Sequence, residues 1–254
     1  MIFYFSGTGN SLQVARTLAD RLNDRLIPMN NKDLSEPYIV GVDERIGWVF
    51  PIYAWGPPPV VLDFIRQIHL NVSRTVYSYF VCTCGDDMGR AERILTHALK
   101  EKGIHLSAGY ALQMPNTYVC LPGFDTDKDE IAYQKKAHAD TLLPSIAETI
   151  CNKETAPFAL IPGPFPWFKT YVLRPLFNRF MLSDRYFRTQ PDCIHCGHCA
   201  TACPVSNIQM KDGIPRWNGN CAGCLACYHT CPVHAIQFGK MTRNKGQYLF
   251  RKLF

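Results

Sequence analysis

The sequence predicts an α/β fold in which a doubly wound, five-stranded parallel sheet is followed by a second, smaller unit. Over residues 1–151 short apolar runs alternate with helical patterns, as expected when helices cover both faces of a parallel sheet. From 152 to 189 the composition shifts to proline, aromatic and arginine residues, which predicts a linker. A cysteine pattern then repeats within residues 190–240, before a basic tail at 241–254. A length of 254 residues suits one medium domain and one small domain.

Five apolar runs predict the strands of the sheet, and four intervening patterns predict its helices. The predicted strands cover residues 2–5, 25–28, 46–51, 76–82 and 108–112. The predicted helices cover 11–22, 58–68, 88–102 and a stretch within 127–151. Asn10 or Ser11 is expected to cap the first helix, and Gly103 to end the third.

The linker predicts one helix over about 167–187, for which two interpretations stand. Apolar side chains recur at steps of four and predict a stripe that seals one domain against the other: Phe168, Val172, Leu176 and Phe180. Basic side chains accompany the aromatic ones and favour instead a helix that lies on a membrane surface: Lys169, Arg174, Arg179 and Arg185. Packing between the domains is the favoured interpretation.

Two copies of the pattern C-x2-C-x2-C-x3-C-P dominate the second unit. Their cysteines are Cys193, Cys196, Cys199 and Cys203, then Cys221, Cys224, Cys227 and Cys231. Soft thiolate donors at two-residue gaps wrap a cluster of iron and sulfide in a tight loop. Structural zinc is the alternative, but zinc sites favour paired cysteines separated by a longer loop.

Residues 190–239 resemble the bacterial two-cluster ferredoxins, which are small α+β domains. The resemblance implies that the fourth cysteine of each motif belongs to the other cluster. One [4Fe-4S] cluster would then have the ligands Cys193, Cys196, Cys199 and Cys231. The other would have Cys203, Cys221, Cys224 and Cys227. The histidines beside these ligands, His195, His198 and His229, are not needed to complete either set.

The stretch "YFSGTGNS" follows the first predicted strand and opens the first predicted helix. Glycines let successive backbone N–H groups and a helix N-terminus face an anion, and Ser and Thr hydroxyls add donors. Neither the nucleoside-triphosphate pattern G-x-x-x-x-G-K-[ST] nor the dinucleotide pattern G-x-G-x-x-G is present here. The stretch therefore predicts a site for a different phosphate.

This loop resembles the phosphate loop of the flavodoxins, which hold flavin mononucleotide (FMN). The matching residues are Ser6, Thr8, Gly9, Asn10 and Ser11. The resemblance covers residues 1 to about 150 and implies the strand order 2-1-3-4-5, with the ligand at the carboxyl ends of the strands. The chain departs from typical flavodoxins in two ways: it lacks their strongly acidic character, and the stretch "LQMPNTYV" after the fifth predicted strand is unlike their usual continuation.

Three further loops are expected to reach the flavin ring. "PIYAWGPPP" supplies Pro51, Tyr53, Ala54, Trp55 and Gly56, of which the two large aromatics offer stacking faces. "CTCGDDMG" supplies Thr83, Cys84, Gly85, Asp86 and Asp87, and "LQMPNTYV" supplies Asn116 and Tyr118. Gly56 is further expected to tune the flavin, because a glycine peptide can flip to present its carbonyl to a protonated flavin N5.

Composition limits the class of protein. The chain is 47% hydrophobic and 19% charged, which excludes large-scale disorder. The formal charge of +6 falls to about +2 once two clusters of charge about −2 are counted, so a nucleic-acid partner is not predicted. No signal peptide or spanning segment is predicted, and twelve cysteines then indicate metal binding in the cytoplasm rather than disulfides.

Together the two parts resemble proteins of anaerobes in which a flavodoxin-like domain is fused to a two-cluster ferredoxin. The first hypothesis is an electron-transfer protein that relays single electrons between two clusters and FMN, served by redox proteins or a small-molecule acceptor. The second is an FMN-dependent reductase of an organic substrate, which Trp55, Asp86, Asp87 or Tyr118 would orient or protonate. The third is a redox-sensing module. No catalytic residue is predicted.

Four cysteines lie outside the repeated motifs: Cys82, Cys84, Cys120 and Cys151. They are expected to include small buried hydrophobic side chains. Cys84 lies in a predicted flavin loop, where it is a candidate for contact with the cofactor.

Overall fold

The computed structural model describes residues 1–30, 34, 37–41, 44–72 and 76–250. The strands of the first unit are β1 (Ile2–Tyr4), β2 (Leu26–Pro28), β3 (Tyr38–Ile39), β4 (Arg45–Pro51), β5 (Leu70–Asn71), β6 (Tyr77–Cys84) and β7 (Ala108–Gln113). Five of them form one parallel sheet of order β2-β1-β4-β6-β7. Counted within that sheet the order is 2-1-3-4-5, so the predicted α/β fold is confirmed. β3 and β5 form a separate two-stranded ladder.

Helices cover both faces of the sheet. They are α1 (Asn10–Leu22), α2 (Pro59–Gln67), α3 (Ala91–Lys100) and α4 (Asp129–Cys151). α1 and α4 bury apolar side chains such as Leu18 and Ile146 against one face, whereas α2 and α3 bury Phe64 and Leu95 against the other. β6 is buried along its whole length, so large apolar side chains occur at both odd and even positions, such as Val81 and Phe80, and this made the strand predictable.

The first helix begins one residue earlier than predicted, and its cap is Gly9 with φ 101°. Asn10 does not cap it, because its side-chain amide donates to the carbonyl of Pro115 instead (3.0 Å). The third helix begins at Ala91, three residues later than predicted, since the buried Met88 donates its N–H to the carbonyl of Ile161.

The linker first runs beside β7, where Ala159 pairs with Tyr110 in parallel. A helical segment follows, made of α5 (Pro166–Phe168), a π-helical turn (Lys169–Leu173) and α6 (Arg174–Phe180). It ends seven residues before the predicted end at 187. A 3-10 turn, Asp184–Tyr186, leads into the next strand.

The predicted apolar stripe of the linker helix does not seal the two units. Phe168, Leu176 and Phe180 are about half exposed, and Val172 is partly buried. Contact with the first unit is made by other positions, among them the buried Thr170. The interpretation of that stripe as interdomain packing is therefore wrong, because the contacts are made by positions outside it, such as Thr170 and Phe177, whose ring centroid lies 5.5 Å from that of Tyr118.

The small unit is a compact α+β arrangement around the two cysteine motifs. Its elements are β8 (Phe187–Thr189), α7 (His198–Thr201), β9 (Ile208–Lys211), β10 (Ile214–Trp217), α8 (Ala226–His229) and β11 (Ile236–Phe238). β8 pairs antiparallel with β11, and β9 pairs antiparallel with β10. Each motif contributes one short helix, and both helices pack on a core that includes Phe187, Ile208 and Ile236.

The tail after β11 is described as far as Phe250, and the rest of the predicted tail, 251–254, lies outside the described residues. In the described part of the chain no helix is both long and apolar enough to cross a membrane.

Candidate functional site

A cavity of about 330 Å³ opens at the carboxyl ends of β1, β4, β6 and β7. Parallel α/β sheets bind ligands at this edge, next to the point where the strand order reverses. Every predicted cofactor residue lines it except Gly9 and Gly56: Ser6, Thr8, Asn10, Ser11, Pro51, Tyr53, Ala54, Trp55, Thr83, Cys84, Gly85, Asp86, Asp87, Asn116 and Tyr118. The structure thus brings the four predicted loops together, while their role in binding FMN stays a prediction.

The loop between β1 and α1 is tightly curled. The Gly9 N–H donates to Ser6 Oγ (3.2 Å), and the hydroxyls of Ser11 and Thr83 are hydrogen-bonded (2.8 Å). A Cβ on Gly7 would lie 2.6 Å from the carbonyl oxygen of Cys224, so only glycine permits this close approach. The loop thus presents hydroxyls and the N-terminus of a 13-residue helix to the cavity, which suits a phosphate.

The second loop makes a turn of four residues, Tyr53 to Gly56, closed by hydrogen bonds between its end residues (2.9 and 3.2 Å). Ala54 and Trp55 have φ of 44° and 59°, in the left-handed region. The Trp55 carbonyl accepts a hydrogen bond from Thr170 Oγ1 (3.0 Å). The geometry of this turn therefore depends on the linker helix.

Gly56 does not have the place that the sequence predicts. It lies outside the cavity lining, and its N–H already donates to the carbonyl of Tyr53. A Cβ there would lie 2.1 Å from Nε of the largely buried Arg174. Both hydrogen-bonding groups of the Trp55–Gly56 peptide are engaged, so the structure favours a packing role for Gly56 over a peptide flip.

An ion pair lies at the edge of the cavity. Lys169 Nζ, on the linker helix, is 2.7 Å from Asp87 Oδ2, and it lies 5.5 Å from the centroid of the Trp55 ring. Both charged side chains are mostly buried. This pair fixes the third loop to the linker and places one ammonium group in the cavity wall.

A second charged network positions Asn116. The Asn116 N–H donates to Asp127 Oδ2 (3.0 Å), and Lys135 Nζ donates to the same oxygen (2.7 Å). Burial alone would raise the pKa of Asp127, but the Lys135 ammonium and the Asn116 N–H outweigh it, so the pKa lies below its ordinary value. The carboxylate therefore stays charged and holds the loop after β7.

Seven of the motif cysteines fall into two groups, each combining both motifs. Burial raises the pKa of Cys227 far above its ordinary value, and the neighbouring thiols of Cys224, Cys221 and Cys203 raise it further. Burial likewise raises the pKa of Cys199, whose thiol neighbours are Cys231 and Cys193. Cys203, the fourth cysteine of the first motif, thus lies near the first three of the second motif, and Cys231 lies near Cys199 and Cys193 of the first. The two ligand sets that the ferredoxin resemblance implies stay a prediction.

The donor chemistry suits iron–sulfur clusters. Backbone N–H groups approach the sulfurs, from Asn207 to Cys203 (3.2 Å) and from Ala235 to Cys231 (3.2 Å). Among the described residues no three His, Cys, Asp or Glu side chains converge closely enough to hold one metal ion. In a four-iron cube, by contrast, each thiolate ligates a different iron.

One cysteine group borders the cavity. Cys224 and Leu225 contribute to its lining together with the phosphate-type loop and Tyr53. Burial raises the pKa of Tyr53 far above its ordinary value, and the negative charge of nearby Cys224 and Cys221 raises it further. The second unit therefore docks its Cys203, Cys221, Cys224 and Cys227 group against the cavity wall.

The C-terminal tail closes over the same loop. The Phe250 N–H donates to the carbonyl of Thr8 (2.8 Å), and the Tyr248 hydroxyl donates to Asn10 Oδ1 (2.9 Å). The Tyr248 N–H donates to Nδ1 of the buried His229 (3.0 Å). Nε2 of His229 therefore carries the proton and donates to the carbonyl of Thr117 (2.8 Å). Tail, small unit and cavity loops thus form one hydrogen-bonded set.

Several cavity residues escaped prediction. The linker adds Lys169, Phe177 and Leu182, and the loop after β7 adds Leu121 and Phe124. The spacing of these residues in the sequence did not distinguish side chains that line a cavity from side chains that face solvent. The tail contacts depend largely on backbone groups, for which the sequence holds no signal.

Comparison with known proteins identifies the second unit. Residues 185–232 match the family model described as a 4Fe-4S dicluster domain, and this range contains all eight motif cysteines. An iron–sulfur domain of the predicted kind is therefore confirmed in this part of the chain. No curated protein sequence matches the chain.

Solved structures resemble the first unit. A flavoprotein from Bacteroides uniformis is 16% identical, with 54% of this chain and 96% of that one covered and a TM-score of 0.34. The flavodoxin of Streptococcus pneumonia TIGR4 is 18% identical, with 57% and 97% covered and a TM-score of 0.33. Rubredoxin oxygen:oxidoreductase from Desulfovibrio gigas is 17% identical, with 59% and 36% covered and a TM-score of 0.33. Because these scores are low, the fold assignment rests on the strand order itself.

Proposed function

We propose that this chain, which joins a flavodoxin-like sheet to a 4Fe-4S dicluster domain, relays single electrons between two [4Fe-4S] clusters and FMN held in the cavity. A flavin exchanges electrons in pairs or singly, whereas a four-iron cluster passes one, so a chain that holds both connects the two kinds of chemistry. Tethering makes the transfer independent of collisions between separate carriers.

The observation that carries this proposal is the position of Cys224. It belongs to the second cysteine group by its thiol neighbours, and it lines the cavity beside the phosphate-type loop. The contact is close, because a Cβ on Gly7 would lie 2.7 Å from the Cβ of Cys224. The group of Cys203, Cys221, Cys224 and Cys227 would therefore exchange electrons with the flavin.

The other group lies farther along the relay. Cys196 of that group is exposed, and Ile194 beside it is 58% exposed. An external redox protein would reach the group of Cys193, Cys196, Cys199 and Cys231 from this side.

The residues of the cavity fit the parts of FMN. The loop from Ser6 to Ser11 would bind the phosphate through hydroxyls, N–H groups and the N-terminus of α1. Tyr53 and Trp55 offer faces to the ring, and the backbone after β6 offers N–H and C=O groups to its edge. Phe177 and Leu182 would keep water from the side that faces the small unit.

Cofactor analysis of anaerobically purified protein tests the composition. The expected result is about eight iron atoms, about eight sulfide ions and about one FMN per chain. Stoichiometric zinc in place of iron, or a chain that retains iron without any flavin, would contradict the proposal.

Flash reduction with a limiting reductant tests the relay itself. Reduction of the clusters should be followed by reduction of the flavin at a rate that does not change with protein concentration. A rate proportional to protein concentration would show transfer between molecules and would remove the intramolecular path.

The ammonium of Lys169 in the cavity wall favours a second candidate, an FMN-dependent reductase of an anionic organic substrate. The same preparation distinguishes the two. If small organic anions oxidise the reduced protein quickly, with a rate that saturates with their concentration and falls in Lys169→Met, the chain is a reductase. Fast oxidation by carrier proteins alone indicates a relay.

A further inference from the structure

The linker exposes a concentrated apolar surface. Seven large hydrophobic side chains within residues 165–186, here called the linker surface, are exposed: Phe165, Trp167, Phe168, Tyr171, Leu176, Phe180 and Tyr186. Phe165 is 78% exposed and Trp167 is 57% exposed. Exposed apolar side chains concentrated along one segment of a folded chain indicate contact with a partner or a membrane.

The opposite side of the same helix holds this surface in place. Thr170 Oγ1 donates to the carbonyl of Trp55 (3.0 Å), and Arg174 donates to the carbonyl of Pro57 (2.7 Å). Lys169 pairs with Asp87. These contacts fix the orientation of the helix, so Trp167, Phe168 and Tyr171 face outward and cannot turn in to be covered.

The exposed charged residues of the linker segment itself have one sign. No Asp or Glu occurs between Glu154 and Asp184. Asp184 itself is engaged by the Asn207 amide (2.9 Å) and the Gly219 N–H (2.8 Å). The basic residues Arg179, Arg185 and Arg188 are exposed, the first two beside Phe180 and Tyr186. The surface thus joins exposed aromatic rings to a cationic edge.

We propose that the linker surface binds the interface of a lipid bilayer that contains anionic lipids. Trp and Tyr favour the headgroup level, where an apolar ring meets water, and arginines pair with lipid phosphates. Aromatic and arginine side chains are also enriched at protein interfaces. The lack of any acidic residue from 155 to 183, next to exposed arginines, favours an anionic bilayer over a protein surface of mixed charge. This proposal stands independently of the proposed electron relay.

Sedimentation with vesicles tests the proposal on anaerobically purified full-length protein. The protein should sediment with vesicles of phosphatidylcholine and phosphatidylglycerol, bind phosphatidylcholine vesicles more weakly, and lose affinity for the mixed vesicles as salt rises. The double variant Trp167→Ser/Phe168→Ser should bind the mixed vesicles at least about tenfold more weakly. Arg179→Gln/Arg185→Gln should weaken binding and reduce its salt dependence.

The matched control is Ile131→Ser/Tyr133→Ser on α4, whose side chains are 44% and 61% exposed. It should bind vesicles like the parent protein. The iron and flavin contents should be the same in all variants. A change in vesicle binding at unchanged cofactor content therefore concerns the membrane proposal and not the proposed relay.

Three results would overturn the proposal. One is equal vesicle binding by the parent and the Trp167→Ser/Phe168→Ser variant at equal thermal stability. Another is a dimer, seen by light scattering, that this variant alone dissolves, because the surface would then join two copies. The third is binding to an acidic electron-carrier protein without any binding to vesicles.

Discussion

The hydroxyl of Tyr248 donates a hydrogen bond to Oδ1 of Asn10 over 2.9 Å, although the residues lie 238 positions apart. It joins the C-terminal tail to the loop that we propose binds the FMN phosphate. Since Asn10 also donates to the carbonyl of Pro115, its side chain connects three parts of the cavity rim.

Tyr248→Phe should therefore weaken FMN binding. Removal of one net hydrogen bond costs about 1 kcal/mol, which corresponds to an increase of about fivefold in the dissociation constant. Fluorescence titration of the apoprotein with FMN measures it. The control is Tyr133→Phe, because Tyr133 is exposed on α4. An unchanged dissociation constant would exclude a role for the tail in retaining the nucleotide.

Gly7→Ala should separate the flavin loop from the second cysteine group. The new Cβ would lie 2.6 Å from a backbone oxygen of Cys224, and backbone cannot rotate away. We expect a loss of about 1–3 kcal/mol in the free energy of unfolding and slower cluster-to-flavin transfer after flash reduction. Gly41→Ala is the control, because its Cβ would meet Glu44 at an ordinary 3.6 Å. Unchanged stability and rate would show that the two units do not approach as closely as described.

Asp127→Asn should lower the free energy of unfolding at neutral pH. It should also make that free energy depend less on pH in the acidic range. The pKa of Asp127 is lower in the folded chain than in the unfolded one, so its contribution is fully present above the unfolded pKa. It is lost as pH falls through the folded pKa. Loss of the charge should cost about 1–3 kcal/mol, measured by urea unfolding between neutral and acidic pH.

The matched variant for that experiment is Asp63→Asn. Asp63 pairs with Arg66 on an exposed helix face, where such pairs contribute at most about 1 kcal/mol. Equal losses in the two variants would mean that Asp127 has no special role.

Alkylation should distinguish the cysteines outside the motifs. Cys151 is exposed, whereas Cys82, Cys84 and Cys120 are buried. Burial raises the pKa of Cys84 to about 12, with Asp87 and Asp86 contributing, and burial raises that of Cys120 to about 12. Iodoacetamide at neutral pH should therefore label Cys151 alone in the cluster-loaded protein, as mass spectrometry would show. Rapid labelling of Cys84 in the folded protein would instead indicate a reactive thiol at the cavity.

The strands and the cavity loops were predictable because local pattern and tertiary position agree there. The strand from Tyr77 to Cys84 is buried on both faces. The glycine-rich loop before α1 curls into the helix through Gly9, whose φ is in the left-handed region that favours glycine. The same is true of the cysteine motifs, whose spacing specifies a ligand loop.

The linker was not predictable, because a spacing of four identifies a stripe but not what it faces. Phe168, Leu176 and Phe180 share a spacing typical of buried positions, yet Thr170 and Arg174 make the anchoring contacts. The π-helical turn at Lys169–Leu173 also shifts the register of the helix. The contact of the tail with the loop before α1 escaped prediction because the Phe250–Thr8 hydrogen bond joins backbone groups. The pattern of side chains in the sequence gives no indication of such a bond.

The proposed exchange of the fourth cysteine has a consequence for biosynthesis. Cys231 faces Cys199 and Cys193, and among the described strands β8 pairs with β11, so the half of the small unit that holds the first motif is completed by residues translated at the end of the second motif and beyond it. With the proposed ligand sets, a nascent chain that has emerged only as far as the first motif holds three ligands of its cluster and no closing strand. Loading of that cluster would then wait until Cys231 has been translated, and a ribosome that stalls between the motifs would leave the first thiols open to oxidation.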